Sequence, residues 1–531
     1  MKKLILGAAV SVALFGGTAQ AAITVDGNGI PVINPATTYE IFLSGSSASQ
    51  PFIESLMTSS KIPASNRICD SAQLIYQYKD TGSTGKDQNA YLCVLNTQNP
   101  ALKGLAAGKT NLLLYKRNKG GSAQGVNPIV ADAAIDFLKV DNAANCTKVS
   151  DGVVGTSFTK INCLQTEGNP ALSNLVKPDF GMSDVDPAQF FGQNTPSGFD
   201  PITAADVSKL TVKSAAVLTF GVPVTTKLRN AMQEAQFGKT NTCVTNASKR
   251  ETAACMPSLS SAQIASIFTG KLSSWKQLRL GGTGNNLFDN AAAANKPASD
   301  RLHICRRTNG SGTGAQFGIK FLNYPCNDAA IPVVSETGAL PETIAKAQVH
   351  ENSSSGVVSE CLSELDSGSN TVGTSFNNTY GVRWAIGLQG TEHNAGRSFD
   401  YRFIKVDGVE PTLDKVVRGK YKDWVELTYQ YNKSHVFDQS EKAVVDEVIK
   451  QSGNPIVMSA TNQAAVHSWG KSGFLAVPQS FTPLKDGGIS FDKPVNPFTH
   501  GAIVNNEDLA PNACRAPAAY NPSTSGGIQF K

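Results

Sequence analysis

The sequence contains few charged residues and no basic cluster. Charged residues make up 17% of the 531 residues, well below the ~25% that is usual for soluble domains. The 47 Lys and Arg against 42 Asp and Glu give a formal net charge of +5, and the basic residues are scattered along the chain. Nucleic-acid-binding proteins concentrate such residues on one face or stripe. The sequence therefore favours a protein without a nucleic-acid partner.

The sequence also has no recognisable set of metal ligands or catalytic residues. No CxxC pair occurs, the six histidines form no HExxH pair, and no serine lies in a G-x-S-x-G turn. Beyond residue 21, no apolar run approaches the ~18 residues that indicate a membrane-spanning helix. We expect a chain that needs no metal or cofactor, is not an enzyme, and has no membrane span after processing.

The N-terminal residues 1–21 have the pattern of a secretory signal peptide. Lys2 and Lys3 precede an apolar run over 4–15, and Ala19, Gln20 and Ala21 supply the small-x-small cleavage pattern. That run is shorter than the ~20 residues needed to span a bilayer. Removing Lys2 and Lys3 leaves a formal charge of 45 − 42 = +3. We expect a product that is periplasmic or secreted.

All ten cysteines lie after the predicted cleavage site. An even number of cysteines in an exported chain favours disulfides over metal binding. Their spacing favours four local pairs and leaves one remaining pair by elimination. The predicted pairs are Cys69–Cys93, Cys146–Cys163, Cys243–Cys255, Cys305–Cys326 and Cys361–Cys514.

Short β-rich runs alternate with helical patterns, which predicts an α/β fold with mostly parallel strands. The runs 39–43, 111–115 and 215–224 are typical of buried strands. The segment 260–270 predicts a helix with a capping box at Ser260 and Gln263 and a closing Gly270.

Four segments share one pattern, in which a predicted strand is followed by small polar residues and then by a helix start. Helix N-termini offer backbone N–H donors and the positive end of the helix dipole, so such segments favour anion binding. The fourth also has an arginine beside two hydroxyls. The segments are 44–51, 119–125, 179–184 and 306–313.

The last two segments read D-F-G-M-S-D and R-T-N-G-S-G-T from Arg307. In this order the segments resemble those of the phosphate-binding proteins of ABC transporters, in the type 2 periplasmic-binding-protein superfamily. The resemblance covers residues from about 39 to 480. It implies a two-lobed α/β fold, with mixed sheets flanked by helices, a hinge of crossing strands and the ligand between the lobes. The implied division is a lead-in over 22–38, lobe I over 39–219 plus 399–480, lobe II over 220–398, and a C-terminal extension over 481–531.

The resemblance also implies a set of ligand-binding residues. An ionised Asp184 only accepts hydrogen bonds, so it requires a proton on the ligand, which phosphate carries at neutral pH and sulfate lacks. Arg307 would balance the anion's charge. The implied set is Ala48, Ser49, Gln50, Ser122, Asp184, Arg307, Asn309, Ser311, Gly312 and Thr313.

The sequence departs from the family pattern in four places. Asn309 replaces the second aspartate that the family usually has, and an amide can donate as well as accept, which weakens the expected exclusion of sulfate. Gln50 replaces an aromatic residue. Pro128 falls where the helix after Ser122 should already be under way, although proline favours the first turn. About 60 residues separate Ser122 from Asp184, an insertion that includes the predicted Cys146–Cys163 hairpin.

The resemblance implies a monomeric receptor for an oxyanion, foremost inorganic phosphate, that delivers its ligand to an ABC permease. Two alternatives stay open from the sequence. One is a secreted phosphoester hydrolase on the same scaffold. The other is a secreted or cell-surface protein that keeps the fold without a transport role.

Overall fold

The computed structural model describes residues 23–81, 88–105, 109–141, 143–281, 284–479, 494–504, 507–520 and 528–529. The predicted signal peptide lies outside these residues. The first ten strands are β1 (Thr38–Gly45), β2 (Tyr76–Asp80), β3 (Gln88–Val94), β4 (Asn111–Arg117), β5 (Ile135–Leu138), β6 (Cys146–Ser150), β7 (Thr159–Cys163), β8 (Ser173–Val176), β9 (Phe180–Ser183) and β10 (Leu210–Thr225). The later strands are β11 (Ser258–Leu259), β12 (His303–Arg307), β13 (Gln348–Asn352), β14 (Ala385–Gly387), β15 (Gln389–Gly390), β16 (Tyr401–Val406), β17 (Trp424–Asn432), β18 (Val466–His467), β19 (Gly470–Lys471), β20 (Phe474–Ala476), β21 (Phe498–Thr499), β22 (Ala502–Val504), β23 (Glu507–Leu509), β24 (Ala518–Ala519) and β25 (Ile528–Gln529).

Helices flank these strands along the chain. The α-helices are α1 (Gln50–Thr58), α2 (Asn127–Ala131), α3 (Ala204–Ser208), α4 (Thr226–Phe237), α5 (Thr242–Thr245), α6 (Ala247–Arg250), α7 (Ser261–Phe268), α8 (Leu287–Asn290), α9 (Gly312–Phe317), α10 (Ser355–Ser367), α11 (Leu413–Val417), α12 (Gln439–Ser452) and α13 (Pro455–Asn462). Helix α9 continues directly into a π-helical turn, Gly318–Leu322.

A large mixed sheet organises the molecule, in the order β13-β12-β14-β10-β17-β9-β1-β4-β3-β2-β7-β6. The α/β class and the mixed sheet with flanking helices are confirmed. The expectation of mostly parallel strands is wrong: β1 runs parallel to β4 and β9, but β3–β4, β9–β17 and β10–β17 are antiparallel. Strands β2–β3 and β6–β7 are antiparallel as well, a pairing that needs no long crossover between consecutive strands, whereas parallel strands do.

Strand β10 is long enough to belong to both halves of this sheet. Its residues 210–219 pair with β17, whereas 222–225 pair with β16. The predicted strands 39–43, 111–115 and 215–224 lie within β1, β4 and β10. The predicted helix forms as α7, with the reciprocal capping box between Ser260 and Gln263, and Gly270 closes it at φ +70°.

Each half of the sheet has its own apolar core. Ile41, Leu43 and Leu114 belong to the core of the first half, and Val224, Ile304 and Trp384 to that of the second. Burial of apolar surface on this scale is the main stabilising term of the fold. The division into lobes at residues 219 and 399 stays a prediction. Strand β16 pairs with β10, and α11 packs in the second core. We therefore propose that the chain returns from the second lobe to the first between α11 and β17, rather than at residue 399.

Five disulfides link the described cysteines, and two of the predicted pairs are wrong. The pairs Cys69–Cys93, Cys146–Cys163 and Cys243–Cys255 form as the spacing predicts. The remaining bonds are Cys305–Cys361 and Cys326–Cys514 instead of 305–326 and 361–514. Cys305 lies on β12, against which α10 packs, and this tertiary contact brings Cys361 closer than the sequence-local Cys326. Among the described helices, none has the length and hydropathy to cross a membrane.

Candidate functional site

The four predicted segments meet around Asp184 and Gly312. The Asp184 Oδ1 atom accepts a hydrogen bond from Ser46 Oγ, and the Asp184 N–H donates to Ser122 Oγ over 3.1 Å. A Cβ on Gly312 would overlap both Ser122 Oγ and the Asp184 side chain. The glycine is therefore what allows the fourth segment to approach the second and third. These contacts join residues 138 and 62 positions apart.

Arg307 ends strand β12 and lies only 2% exposed in the same region. Its Nη1 atom donates to Ser47 Oγ over 3.1 Å and to Ser355 Oγ over 3.3 Å. Its Nη2 atom donates to the Ser353 carbonyl over 2.8 Å. The guanidinium thus connects the first segment to the N-terminal end of α10. It lies near enough to Asp184 to lower the pKa of that carboxyl.

Several buried backbone donors around this cluster have no acceptor in the described part of the protein. Buried N–H groups are nearly always paired, with protein, water or ligand. Here they lie at the start of α1, beside Ser122 and at the start of α9, where helices leave N–H groups unpaired. The hydroxyl of Thr313 is also buried without a partner. The unpaired N–H groups are those of Ser47, Ala48, Ser49, Ser122, Gly312 and Thr313.

The other predicted residues either shape the fourth segment or form hydrogen bonds with other side chains. Ser311 caps α9 by accepting the Gly314 N–H over 3.3 Å, so it shapes the fourth segment. Gln50 is committed elsewhere, with its Nε2 donating to Tyr91 and its Oε1 accepting from Asn118 Nδ2 over 2.8 Å. Asn309 accepts a hydrogen bond from Arg306 through its amide oxygen. Gln50 and Asn309 therefore use their amides for internal contacts.

The two local anomalies of the second segment have simple explanations. Pro128 lies in the first turn of α2, where a missing N–H costs nothing. Ser122 belongs to a separate 3₁₀ turn, Ser122–Gly125, that precedes α2. In the first segment, Ser49 occupies the N-cap position of α1 without a side-chain cap bond. Its hydroxyl instead faces Ser46 and Met182.

Lys116 is a buried cation beneath the first segment that the sequence analysis does not identify. Its Nζ donates to the carbonyls of Gly45 and Ser46, both at 2.9 Å, and to Asn118 Oδ1 at 2.6 Å. Burial lowers the pKa of Lys116 to about 7, and the Asp184 carboxyl opposes this shift. The signal available in the sequence is a lysine that continues an apolar strand directly into a Gly-Ser loop. Ser46 and Ser47 were likewise within the first segment but outside the predicted set.

Burial dominates the electrostatics of Asp184. It raises the pKa of this carboxyl above its usual value of 3.8, because the charged form loses hydration. The Ser46 hydrogen bond and the Arg307 charge oppose that effect. Among the described residues, no group of three or more His, Cys, Asp and Glu side chains is placed to hold a metal ion. The cluster offers unpaired N–H donors, hydroxyls, one guanidinium and one carboxyl, which suits a small anion that carries a proton.

Comparison with known proteins gives structural similarity without sequence support. No protein-family model matches the sequence. No curated protein matches it either. Among solved structures, the chain is similar to a high-affinity periplasmic phosphate-binding protein, PfluDING, bound with phosphate, at 13% identity and a TM-score of 0.37, covering 82% of this chain and 90% of that one. It is also similar to PstS from Borrelia burgdorferi, at 12% identity and a TM-score of 0.29, covering 78% and 92%, and to an ABC-type phosphate transport receptor from Vibrio cholerae, at 13% identity and a TM-score of 0.27, covering 51% and 74%.

Proposed function

We propose that this chain is a receptor for inorganic phosphate, held in the cluster around Asp184, Arg307 and Gly312. The observation that carries the proposal is the set of buried, unpaired N–H groups contributed by three separate segments. Leaving a buried donor unpaired costs about 1–3 kcal/mol, so several together indicate that an acceptor-rich ligand completes the site. A tetrahedral oxyanion presents up to four oxygens to such donors.

Asp184 gives the site a means of selecting among oxyanions. When ionised it accepts hydrogen bonds only, and the hydroxyls of Ser46 and Ser122 donate to it. A carboxylate has about four acceptor sites, so a protonated oxygen of phosphate would donate to one of those that remain. Sulfate, without a proton at neutral pH, would place an oxygen against the carboxylate and be repelled. The carboxylate therefore favours phosphate and arsenate over sulfate.

Arg307 supplies the positive charge that the bound anion needs. The guanidinium is held by Ser47 on one side and by Ser353 and Ser355 on the other. Because it bridges the first segment and α10, closing the cleft on a ligand would align it without further rearrangement. We propose that the ligand is passed to an ABC permease in the periplasm, and that no reaction takes place on the chain.

Isothermal titration calorimetry with phosphate, arsenate, sulfate and molybdate tests this function. We expect the wild type to bind phosphate and arsenate, and Arg307→Ala to lose phosphate binding by at least about a hundredfold, as expected for a buried charge-assisted contact. Arg418→Ala, at an exposed position paired with Asp414, is the matched control and should bind as the wild type does. The absence of heat with every anion would contradict the proposal.

A chromogenic phosphoester assay, with and without divalent metal ions, distinguishes the receptor from the hydrolase alternative. We expect no turnover above the rate of the Arg307→Ala variant. Turnover by the wild type that Arg307→Ala lacks would contradict the receptor function and support the hydrolase alternative.

A further inference from the structure

A second concave region lies away from the candidate phosphate site. It is a cavity of about 510 Å³ between the end of the α9 helical segment, the connection from β16 to β17, and the C-terminal residues 513–517. This size falls within the ~300–1,000 Å³ of small-molecule sites. None of its lining residues belongs to the cluster around Asp184. Its apolar side chains are Ile319, Phe321, Val406, Val409 and Tyr421.

Basic side chains are prominent among the polar residues of this cavity. Lys420, Lys422 and Arg515 line it and are exposed. Within the described residues none of the three takes part in an ion pair, whereas their neighbours Lys415 and Arg418 are paired with carboxylates. A cavity with this lining carries an excess of positive charge toward its opening.

The two acidic residues that line the cavity, Asp407 and Asp423, form no ion pair with these cations within the described residues. Asp407 accepts the Ser261 N–H over 2.8 Å and also its hydroxyl. Asp423 is buried and accepts a hydrogen bond from Gln316, and burial raises its pKa to about 7. Both carboxyl groups accept hydrogen bonds from internal donors, and with Lys320 the four basic residues of the lining outnumber these two acidic ones.

The wall contributed by residues 513–517 is fixed in place by covalent and polar contacts. Cys514 is bonded to Cys326, which also lines the cavity. The Ala513 N–H donates to Asp186 Oδ2 over 2.8 Å. The cavity is consequently preformed, which reduces the entropy that binding costs.

We propose that this cavity binds a small organic carboxylate with an apolar body. The aromatic and aliphatic side chains bury the body of such a ligand. The exposed Lys420 and Lys422, which form no ion pair within the described residues, hold its charged group. Arg515, by contrast, already donates to the carbonyls of His500 and Ala510. An inorganic anion would leave the apolar surface unused, and a neutral apolar ligand would leave Lys420 and Lys422 without a counter-charge. The combination of apolar and basic side chains in the lining therefore favours an amphipathic anion. This inference is independent of the proposed phosphate function.

Calorimetric titration of the whole protein, saturated with phosphate, tests the proposal. The probes are benzoate, 3-phenylpropionate and octanoate, and 3-phenylpropionamide is the neutral counterpart. We expect at least one carboxylate to bind, and the amide to bind at least tenfold more weakly than 3-phenylpropionate. The variant Lys420→Gln with Lys422→Gln should weaken carboxylate binding at least tenfold. Val409→Trp, which fills the apolar part, should remove it.

The matched control is Lys239→Gln with Lys249→Gln, which removes the same charge at exposed positions outside the cavity. It should bind as the wild type does, and thermal unfolding should confirm that each variant is folded. Failure of all three carboxylates to bind would overturn the proposal. Equal binding of the amide, or unchanged binding by the Lys420 and Lys422 variant, would also overturn it. Carboxylate binding that occurs without phosphate but is lost in the phosphate-saturated protein would assign the carboxylate to the Asp184 cluster and overturn the proposal as well.

Discussion

Asp184 and Glu426 are both fully buried carboxyl groups, but their surroundings differ. Glu426 accepts hydrogen bonds from Thr499 Oγ1 at 2.5 Å, the His500 N–H at 2.8 Å and His500 Nδ1 at 2.5 Å. Lys320 Nζ lies 2.8 Å from His500 Nε2 and completes this network. Asp184 has two hydroxyl partners, Ser46 and Ser122, and lies among N–H donors that have no acceptor in the described residues.

The pKa values of the two groups shift in opposite directions. Burial raises the pKa of both, but for Glu426 the charge and hydrogen bonds of His500 and Thr499 outweigh it, so the pKa falls below 4.5. For Asp184 burial prevails and the pKa rises above 3.8. A buried polar cluster thus becomes a candidate binding site when its hydrogen-bonding capacity is unfilled. Burial and charge alone do not distinguish the Asp184 cluster from the Glu426 network.

The largest effect is expected from breaking the complete network. Glu426→Gln leaves His500 and Lys320 without their acid, and removing one partner of a buried pair costs about 3–5 kcal/mol. We expect that loss in the free energy of urea unfolding, with phosphate affinity of the folded protein unchanged. A loss below about 1 kcal/mol would place Glu426 in a far less important role than its contacts indicate.

Gly312→Ala should damage the phosphate site more than the fold. The added methyl overlaps Ser122 and Asp184, and separating the segments enough to relieve that overlap costs about 1–3 kcal/mol. We expect phosphate affinity to fall at least tenfold in calorimetry. Gly314→Ala is the matched control, because a Cβ there meets only the Ser311 Cβ, at 3.9 Å. Equal losses in both variants would contradict this account of Gly312.

Asp184→Asn should change selectivity with little change in stability. The amide can donate to an unprotonated oxygen, so we expect the ratio of phosphate to sulfate affinity to fall about tenfold, or about 1.4 kcal/mol. Calorimetry with both anions measures that ratio. If the ratio stays the same, discrimination lies outside Asp184.

The smallest effect is a difference in pH dependence between the two carboxyl groups. Because the folded protein binds a proton at Asp184 more readily than the unfolded chain does, this group's contribution is present below pH 3.8 and is lost as the pH rises through its raised pKa. Asp184→Asn should therefore gain stability relative to wild type as the pH rises from about 4 to 7. Urea unfolding without phosphate measures this trend.

Glu426 and His500 should show the opposite trend. The pKa values of both are lowered, so their contributions are present above the unfolded values of 4.5 and 6.5 and are lost as the pH falls through the lowered ones. The wild-type protein should lose stability on acidification, and Glu426→Gln should lose less. If the stability of the wild type and that of Glu426→Gln fell equally on acidification, the stabilising role of ionised Glu426 would be contradicted.

The sequence predicted the fold class and the segments that meet, because both depend on local patterns. Strand periodicity, the capping box at Ser260 and the Gly-Ser turns are all visible within short windows. Lys116 was not predicted because a lysine at a strand end normally reaches solvent, and only the tertiary structure shows it buried. Gln50 and Asn309 were expected to contact the ligand, but their amides bind other side chains. Tyr91, the partner of Gln50, is 41 residues away in the sequence. Arg306, the partner of Asn309, is only three residues away, but no sequence pattern indicates that the two side chains bind each other.

The Cys326–Cys514 bond has a consequence for how the protein matures. Under the proposed export, a chain that enters an oxidising compartment N-terminus first would present Cys305 and Cys326, 326 − 305 = 21 residues apart, before either native partner. Closing that short loop costs less entropy than waiting for a partner 188 residues away. We expect early oxidation to trap this local pair, and native pairing to depend on thiol–disulfide exchange after Cys514 has emerged. The yield of native protein should then depend on disulfide-isomerase activity in the compartment that receives the chain.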